Sequence, residues 1–206
     1  MAQLIRLYEE NPNPKQINQV VEVLKKGGII IYPTDTVYGL GCDITNNAAM
    51  ERVARLKNIN LEKANLSFIC YDLSNLSDYT RQIDTPTYKI LKRALPGPFT
   101  FILEGNNNLP KVFKRKKTVG IRIPDNNIIR EIIRQLGNPI VSTSIYDEDE
   151  LIEYTTDPEL IYEKWKDLVD VVIDGGFGGN IPSTIIDLTK DEPEVVRVGK
   201  GNPDVF

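Results

Sequence analysis

With 206 residues, 41% apolar and 26% charged, and with 14 glycines and 13 prolines, the chain has the composition of an ordinary globular protein. Disordered, collagen-like and disulfide-stapled classes are excluded, and a net charge of −4 argues against a polybasic nucleic-acid binder. The absence of histidine removes Ser-His-Asp and Cys-His hydrolases, His acid–base chemistry and His-ligated metals, leaving carboxylates, Lys, Arg, hydroxyls, backbone amides or the substrate itself.

Along the chain, Asn13-Pro14 opens a helix whose Ile17, Val20, Val21 and Leu24 recur at helical spacing, and Gly27-Gly28 stop it. A buried strand, Ile29 to Tyr32, ends at Pro33. No unbroken apolar run in the sequence is longer than this one, which is too short to span a bilayer, so a cytoplasmic protein without a membrane partner is expected. A second helix starts near Asn46 or Asn47 and carries Met50, Val53, Ala54 and Lys57. Strands follow at Ser67 to Tyr71 and Phe99 to Glu104, with a helix between them capped at Thr85-Pro86 and ending before Pro96-Gly97-Pro98. Val119 to Ile123 reads as a strand. Ile128, Ile129, Ile132, Ile133 and Leu136 form a helical stripe closed by Gly137, and Ile140-Val141 returns to the sheet. Thr156-Asp157-Pro158-Glu159 has a capping-box pattern and begins a helix through Trp165. Strands at Val169 to Ile173, Thr184 to Leu188 and Val195 to Val198 finish the chain. Cys42 and Cys70, in apolar surroundings, read as small buried hydrophobes in a reducing compartment.

Interleaved strands and helices without a low-complexity linker point to an α+β, three-layer domain spanning 1–206, a single mixed, twisted β-sheet flanked by helices. Charge is uneven: residues 111–134 carry a net +6 and residues 147–170 a net −8, so a basic face for phosphates is compatible with the acidic total.

Four places could carry chemistry. The segment Pro33-Thr34-Asp35-Thr36-Val37-Tyr38-Gly39-Leu40-Gly41 follows a buried strand, where ligand sites of α/β sheets gather, and its glycines would admit close approach. A turn whose hydroxyls satisfy their own backbone explains it equally well. Lys57, with Asn65 beyond it, is the second place, or simply a solvated charge. Arg122 in Gly120-Ile121-Arg122-Ile123-Pro124 sits inside an apolar strand and must face solvent, pair with a carboxylate or meet an anion; Arg197 in Val195-Val196-Arg197-Val198 poses the same question. The fourth is Pro139-Ile140-Val141-Ser142-Thr143-Ser144, whose hydroxyls could bond anionic oxygens or cap a turn, a pattern repeated at Ser183-Thr184. Lys111 to Lys117, with five basic residues, reads as a solvated loop, and Gly175 to Gly179 as a connector, because it lacks a phosphate-loop fingerprint.

Taken in order, the PTDTVYGLG segment, a helix ending in Leu-Lys, Pro96-Gly97-Pro98-Phe99-Thr100, the GIRIP strand, PIVSTS, PSTIIDL and VVRVG resemble the YrdC/YciO family from about residue 15 to residue 200, nearest in character to its YciO branch. The resemblance implies a YrdC-like fold with a large concave basic surface. It implies synthesis of L-threonylcarbamoyladenylate from threonine, bicarbonate and ATP, with Mg²⁺ and release of pyrophosphate, for the N6-threonylcarbamoyl modification of adenosine 37 in tRNA. Its alternative is a module that binds double-stranded RNA, tRNA or the ribosome. Carried over, Thr34, Arg122, Ser142 and Ser183 would bind threonine, and Lys57, Asn65, Thr118, Ser144 and Arg197 the nucleotide, with Lys57 and Arg122 catalytic. These groups are expected to converge on one anion pocket large enough for an adenylate and an amino acid. Two positions depart from the family pattern: Ile59 stands where its K-x-R motif has arginine, and Tyr146 where its S/T-x-N motif has asparagine. Loss of a charged donor to phosphate costs about 1.5–3 kcal/mol, which implies weakened activity.

Overall fold

In the computed structural model, which describes residues 1–60, 66–113, 117–145 and 151–205, the strands align in one sheet of ten. In chain order the elements are β1 (Gln3–Arg6), α1 (Pro14–Lys25), β2 (Ile30–Tyr32), β3 (Gly39–Asp43), α2 (Asn47–Leu56), β4 (Ser67–Ile69), α3 (Thr85–Ala94), β5 (Phe99–Glu104), β6 (Thr118–Arg122), α4 (Asn127–Leu136), β7 (Ile140–Ser144), α5 (Glu153–Thr156), α6 (Pro158–Trp165), β8 (Val171–Asp174), β9 (Thr184–Asp187) and β10 (Glu194–Arg197). The sheet order is β1-β8-β2-β3-β7-β4-β6-β5-β9-β10. Four parallel pairs (β1 with β8, β8 with β2, β4 with β6, β5 with β9) stand beside five antiparallel ones, so the sheet is mixed as expected.

Strand alternation divides the core. Ile30 and Tyr32 of β2 face one side with Ile69, Ile140, Val171 and Ile173, covered by α1 and α4. Ile29 and Ile31 face the other with Leu40, Phe68, Phe101, Ile121 and Val172, covered by apolar residues of α2, α3 and α6. The helices form where the sequence supplies both a stripe and ends. Asn13 caps α1 by accepting from the Lys15 N–H, with Pro14 in its first turn, and Ile17, Val20, Val21 and Leu24 are buried. Asn126 caps α4 by accepting from the Ile128 and Ile129 N–H groups, and Gly137 ends it in the left-handed region at φ 79°.

Three details differ from expectation. Asp84, not Thr85, caps α3, its carboxylate accepting from the Thr87 N–H. Asp157 caps α6, while the Thr156 hydroxyl turns back to the Ile152 carbonyl within α5. Most consequentially, Gly39, Leu40 and Gly41, read as the end of a ligand loop, belong to Gly39–Asp43, a fully buried central strand between β2 and β7. Glycine is poor in strands, but here it makes room: a Cβ on Gly39 would lie 2.7 Å from Cζ of Tyr32. The ring of Tyr32 occupies the space that the sequence reading gave to a ligand. β1, which pairs with β8 at the sheet edge, was not anticipated. Among the described residues no helix is long and apolar enough to cross a membrane.

Candidate functional site

None of the apolar residues packed under α1 and α4 comes from β5, β6, β9 or β10. That half of the face carries small and polar side chains beside the partly buried Ile102 and Ile185, and the registers say which. Tyr32 pairs with Gly39, Gly39 with Ser144, Gly41 with Ser142, Ser142 with Ser67, Ser67 with Gly120, Thr100 with Ile185, and Ile185 with Arg197. Directly paired residues project from the same face of a sheet, so these residues share one surface although they span most of the chain. They enclose a cavity of ≈ 220 Å³, lined also by Thr34, Val37, Tyr38, Arg122 and Ser183.

Arg122 forms its most charged wall. Its side chain is 9% exposed and that of Asp35 10%. Nη2 donates to Asp35 Oδ1 at 2.5 Å, to Thr36 Oγ1 at 2.7 Å and to Thr34 Oγ1 at 3.2 Å, so the loop after β2 grips the guanidinium by a single nitrogen. Among the described residues, Arg122 Nε and Asp35 Oδ2 remain buried without a partner. Such a half-used fork retains donor capacity toward a ligand oxygen. The loop is itself ordered by Thr34, whose hydroxyl donates to the Val37 carbonyl at 2.7 Å and accepts from the Thr36 N–H at 3.0 Å. The turn reading of Thr34 is realised in these contacts, and the same hydroxyl also meets Arg122.

Opposite Arg122, Arg197 donates through Nη2 to the Ser183 carbonyl at 2.7 Å. Partial burial, and then the like charge of Arg122, push its pKa below the ordinary arginine value. The Ser183 hydroxyl meets Thr100 Oγ1 at 2.8 Å. Tyr32 donates a short hydrogen bond to Ser142, which in turn donates to the Leu40 carbonyl at 3.2 Å. Burial pushes the Tyr32 phenol up to about 12, against the opposing pull of the Ser142 bond and of Arg122. Tyr38 accepts from the Gly175 N–H at 3.1 Å and donates to the Gly176 carbonyl at 2.7 Å. The Gly175 to Gly179 segment, read as a connector, thus braces the first loop: a Cβ on Gly179 would strike the Thr36 carbonyl.

Of the residues singled out from sequence, Thr34, Arg122, Ser142, Ser144, Ser183 and Arg197 line this cavity. Lys57 caps the end of α2, its N–H donating to the Val53 carbonyl, and is not among the lining residues. Thr118 is exposed at the start of β6, on the face of Gly120 and Arg122 but outside the lining. Asn65, Tyr146 and residues 114–116 of the basic run lie outside the described residues. Ile59 packs against the core under α2. Among the described residues no cluster of His, Cys, Asp or Glu could hold a metal ion, and Asp35 is committed to Arg122. The cavity lined by these residues, with ≈ 220 Å³ of space, suits an amino acid. Sequence reasoning passed over Tyr32, Ser67 and Thr100 as site residues. Their signal was a hydroxyl inside or at the end of an apolar strand.

The protein-family model Sua5_yciO_yrdC, described as telomere recombination, matches residues 22–199. The chain is 40% identical over 209 residues to the uncharacterized protein YciO of Escherichia coli strain K12, covering all of both chains. The crystal structure of E. coli YciO superposes with a TM-score of 0.89 over 98% of each chain. A putative threonylcarbamoyl-AMP synthase of Methanocaldococcus jannaschii is 34% identical over 201 residues, 95% of this chain and 92% of that one. The crystal structure of P. abyssi Sua5 complexed with L-threonine matches at 26% identity and a TM-score of 0.86, over 96% of this chain and 58% of that one. By sequence along nearly its whole length and by the mixed sheet that carries the cavity, the chain belongs to the Sua5/YciO/YrdC family.

Proposed function

We propose that this protein binds L-threonine in the cavity beside Arg122 and uses ATP and bicarbonate to form L-threonylcarbamoyladenylate, releasing pyrophosphate. The observation that carries the reading is the convergence of Arg122, Arg197 and the hydroxyls of Thr34, Thr100, Ser142, Ser144 and Ser183 on one cavity of amino-acid size. The threonine complex of the P. abyssi relative and the synthases among the curated relatives support it.

The chemistry suits a chain without histidine. The threonine amine adds to the carbon of bicarbonate and, with loss of water, gives a carbamate. A carbamate oxygen then attacks the α-phosphorus of ATP and pyrophosphate leaves. No protein nucleophile is consumed, so the protein contributes position and charge. The unpaired edge of Arg122 takes the amino-acid carboxylate, and the serine and threonine hydroxyls orient the rest of the molecule. Arg197 faces the phosphates, where a well-aimed donor contributes about 3 kcal/mol to the transition state. Among the described residues no carboxylate cluster would hold Mg²⁺, and the steps assigned to this chain use its cations and hydroxyls. The product would serve tRNA modification in the cytoplasm.

Isothermal titration with L-threonine and with ATP, followed by pyrophosphate detection with bicarbonate present, tests the proposal. Saturable binding of both and bicarbonate-dependent pyrophosphate are expected. Absence of ATP binding at millimolar concentration overturns it, above all if duplex RNA binds instead with an affinity that falls steeply with salt.

A further inference from the structure

The charge of Arg122 is matched within the wall by Asp35. The uncompensated positive charge of the site lies elsewhere, at the end of β10 and on the segment that follows it. There Arg197 is held by the Ser183 carbonyl and Lys200 by the Asp35 carbonyl. Both anchors are neutral, and among the described residues neither cation has a carboxylate partner. The Lys200 backbone N–H donates to the Pro182 carbonyl at 2.8 Å. One residue thus ties the loop after β2, next to the Thr34 wall of the cavity, to the entry of β9 at its Pro182 wall, without itself lining the cavity.

The position of Lys200 is built in. A Cβ on Gly199 would collide with the Pro182 carbonyl, and one on Gly201 would lie 2.6 Å from the Phe99 ring, so the two flanking residues must be glycine for the segment to lie so close. Thr184 secures both sides, accepting from the Gly199 N–H at 2.9 Å and donating to the Gly201 carbonyl at 2.5 Å. An exposed lysine on a segment fixed this firmly is held in place as a charge. An ammonium bonded to one carbonyl keeps two further N–H donors.

We propose that Lys200 completes, with Arg197, a phosphate-binding rim at the mouth of the cavity, where a nucleoside triphosphate lays its phosphate chain. The inference rests on the nucleotide part of the function proposed above. It also bears on the size of the cavity: the enclosed space takes the amino acid, and the polyphosphate lies outside it along the rim.

Inorganic tripolyphosphate and L-threonine, titrated separately into the wild type, Lys200→Gln and Lys200→Arg, test it. Loss of one charged donor is expected to weaken tripolyphosphate binding to Lys200→Gln about tenfold, with Lys200→Arg close to wild type and L-threonine affinity within about twofold throughout. Unchanged tripolyphosphate affinity in Lys200→Gln overturns the proposal, as does absence of tripolyphosphate binding to the wild type. A parallel loss of both probes overturns it too, reducing Lys200 to a strap that holds the loop. Wild-type protein that binds tripolyphosphate but not L-threonine sinks the synthase reading and leaves the rim standing.

Discussion

Arg122 and Asp35 are buried together, and most of their free energy is conditional on each other. A buried charge left without its partner costs about 3–5 kcal/mol, so Arg122→Ala is expected to lose stability on that scale in urea unfolding. The double variant Asp35→Ala/Arg122→Ala should recover part of it, because no charge is then stranded. Full additivity of the two single losses would show that the pair is not coupled. A second residue-scale expectation concerns pH. Tyr32, Cys42 and Cys70 are each pushed up to about 12 by burial, from ordinary values of 10.0, 9.0 and 9.0. Since the folded values lie above the unfolded ones, their contribution is whole below about pH 9 and is lost as pH rises toward about 12. Urea midpoints should be flat from about pH 7 to 8.5 and fall steeply above that, and both thiols should react with a disulfide reagent only at the rate of unfolding.

At the scale of the element, β3 is the instructive case. Its glycines look like loop, yet they form the strand that receives the Tyr32 ring between β2 and β7. Gly39→Ala should therefore destabilise by about 1–3 kcal/mol through overpacking, and Tyr32→Leu should restore part of that by clearing the ring. If Gly39→Ala is neutral in thermal unfolding, the ring does not fill that space. The helices were legible because their signals are local: an Asn cap, a proline in the first turn and a stripe at helical spacing are contained within α1, and α4 adds Gly137. The strands with apolar runs were legible for the same reason. β1 and β3 were not, since the pairing of Gln3–Arg6 with β8 and the glycine-to-tyrosine contact are made across long stretches of chain.

For the molecule as a whole, the site is the part of one sheet face that α1 and α4 do not reach. Hydrogen exchange should be slowest in β2, β3 and β8, whose residues are buried throughout, and fast in β10, whose residues are all exposed. L-threonine is expected to slow exchange at residues 34–38, 142–144 and 183–185 and to leave β1 unchanged. Protection spread evenly over the sheet would mean that the ligand stabilises the fold at large rather than this cavity.

The sequence by itself determined the α+β class, the positions of most helices and strands, and which polar residues interrupt apolar strands. Those are properties of neighbours within a turn or a strand, where spacing and caps act directly. Convergence was another matter. Arg122 could have faced solvent, and only strand register decided that it meets Thr34, Asp35 and Thr36 instead. Likewise Lys57 matched a motif, yet the end of α2 leaves it out of the cavity lining, while Lys200, bearing no signal beyond two flanking glycines, is carried to the Asp35 carbonyl beside Thr34. Register and close approach depend on pairs of residues far apart in the chain, so the tertiary structure alone sets them.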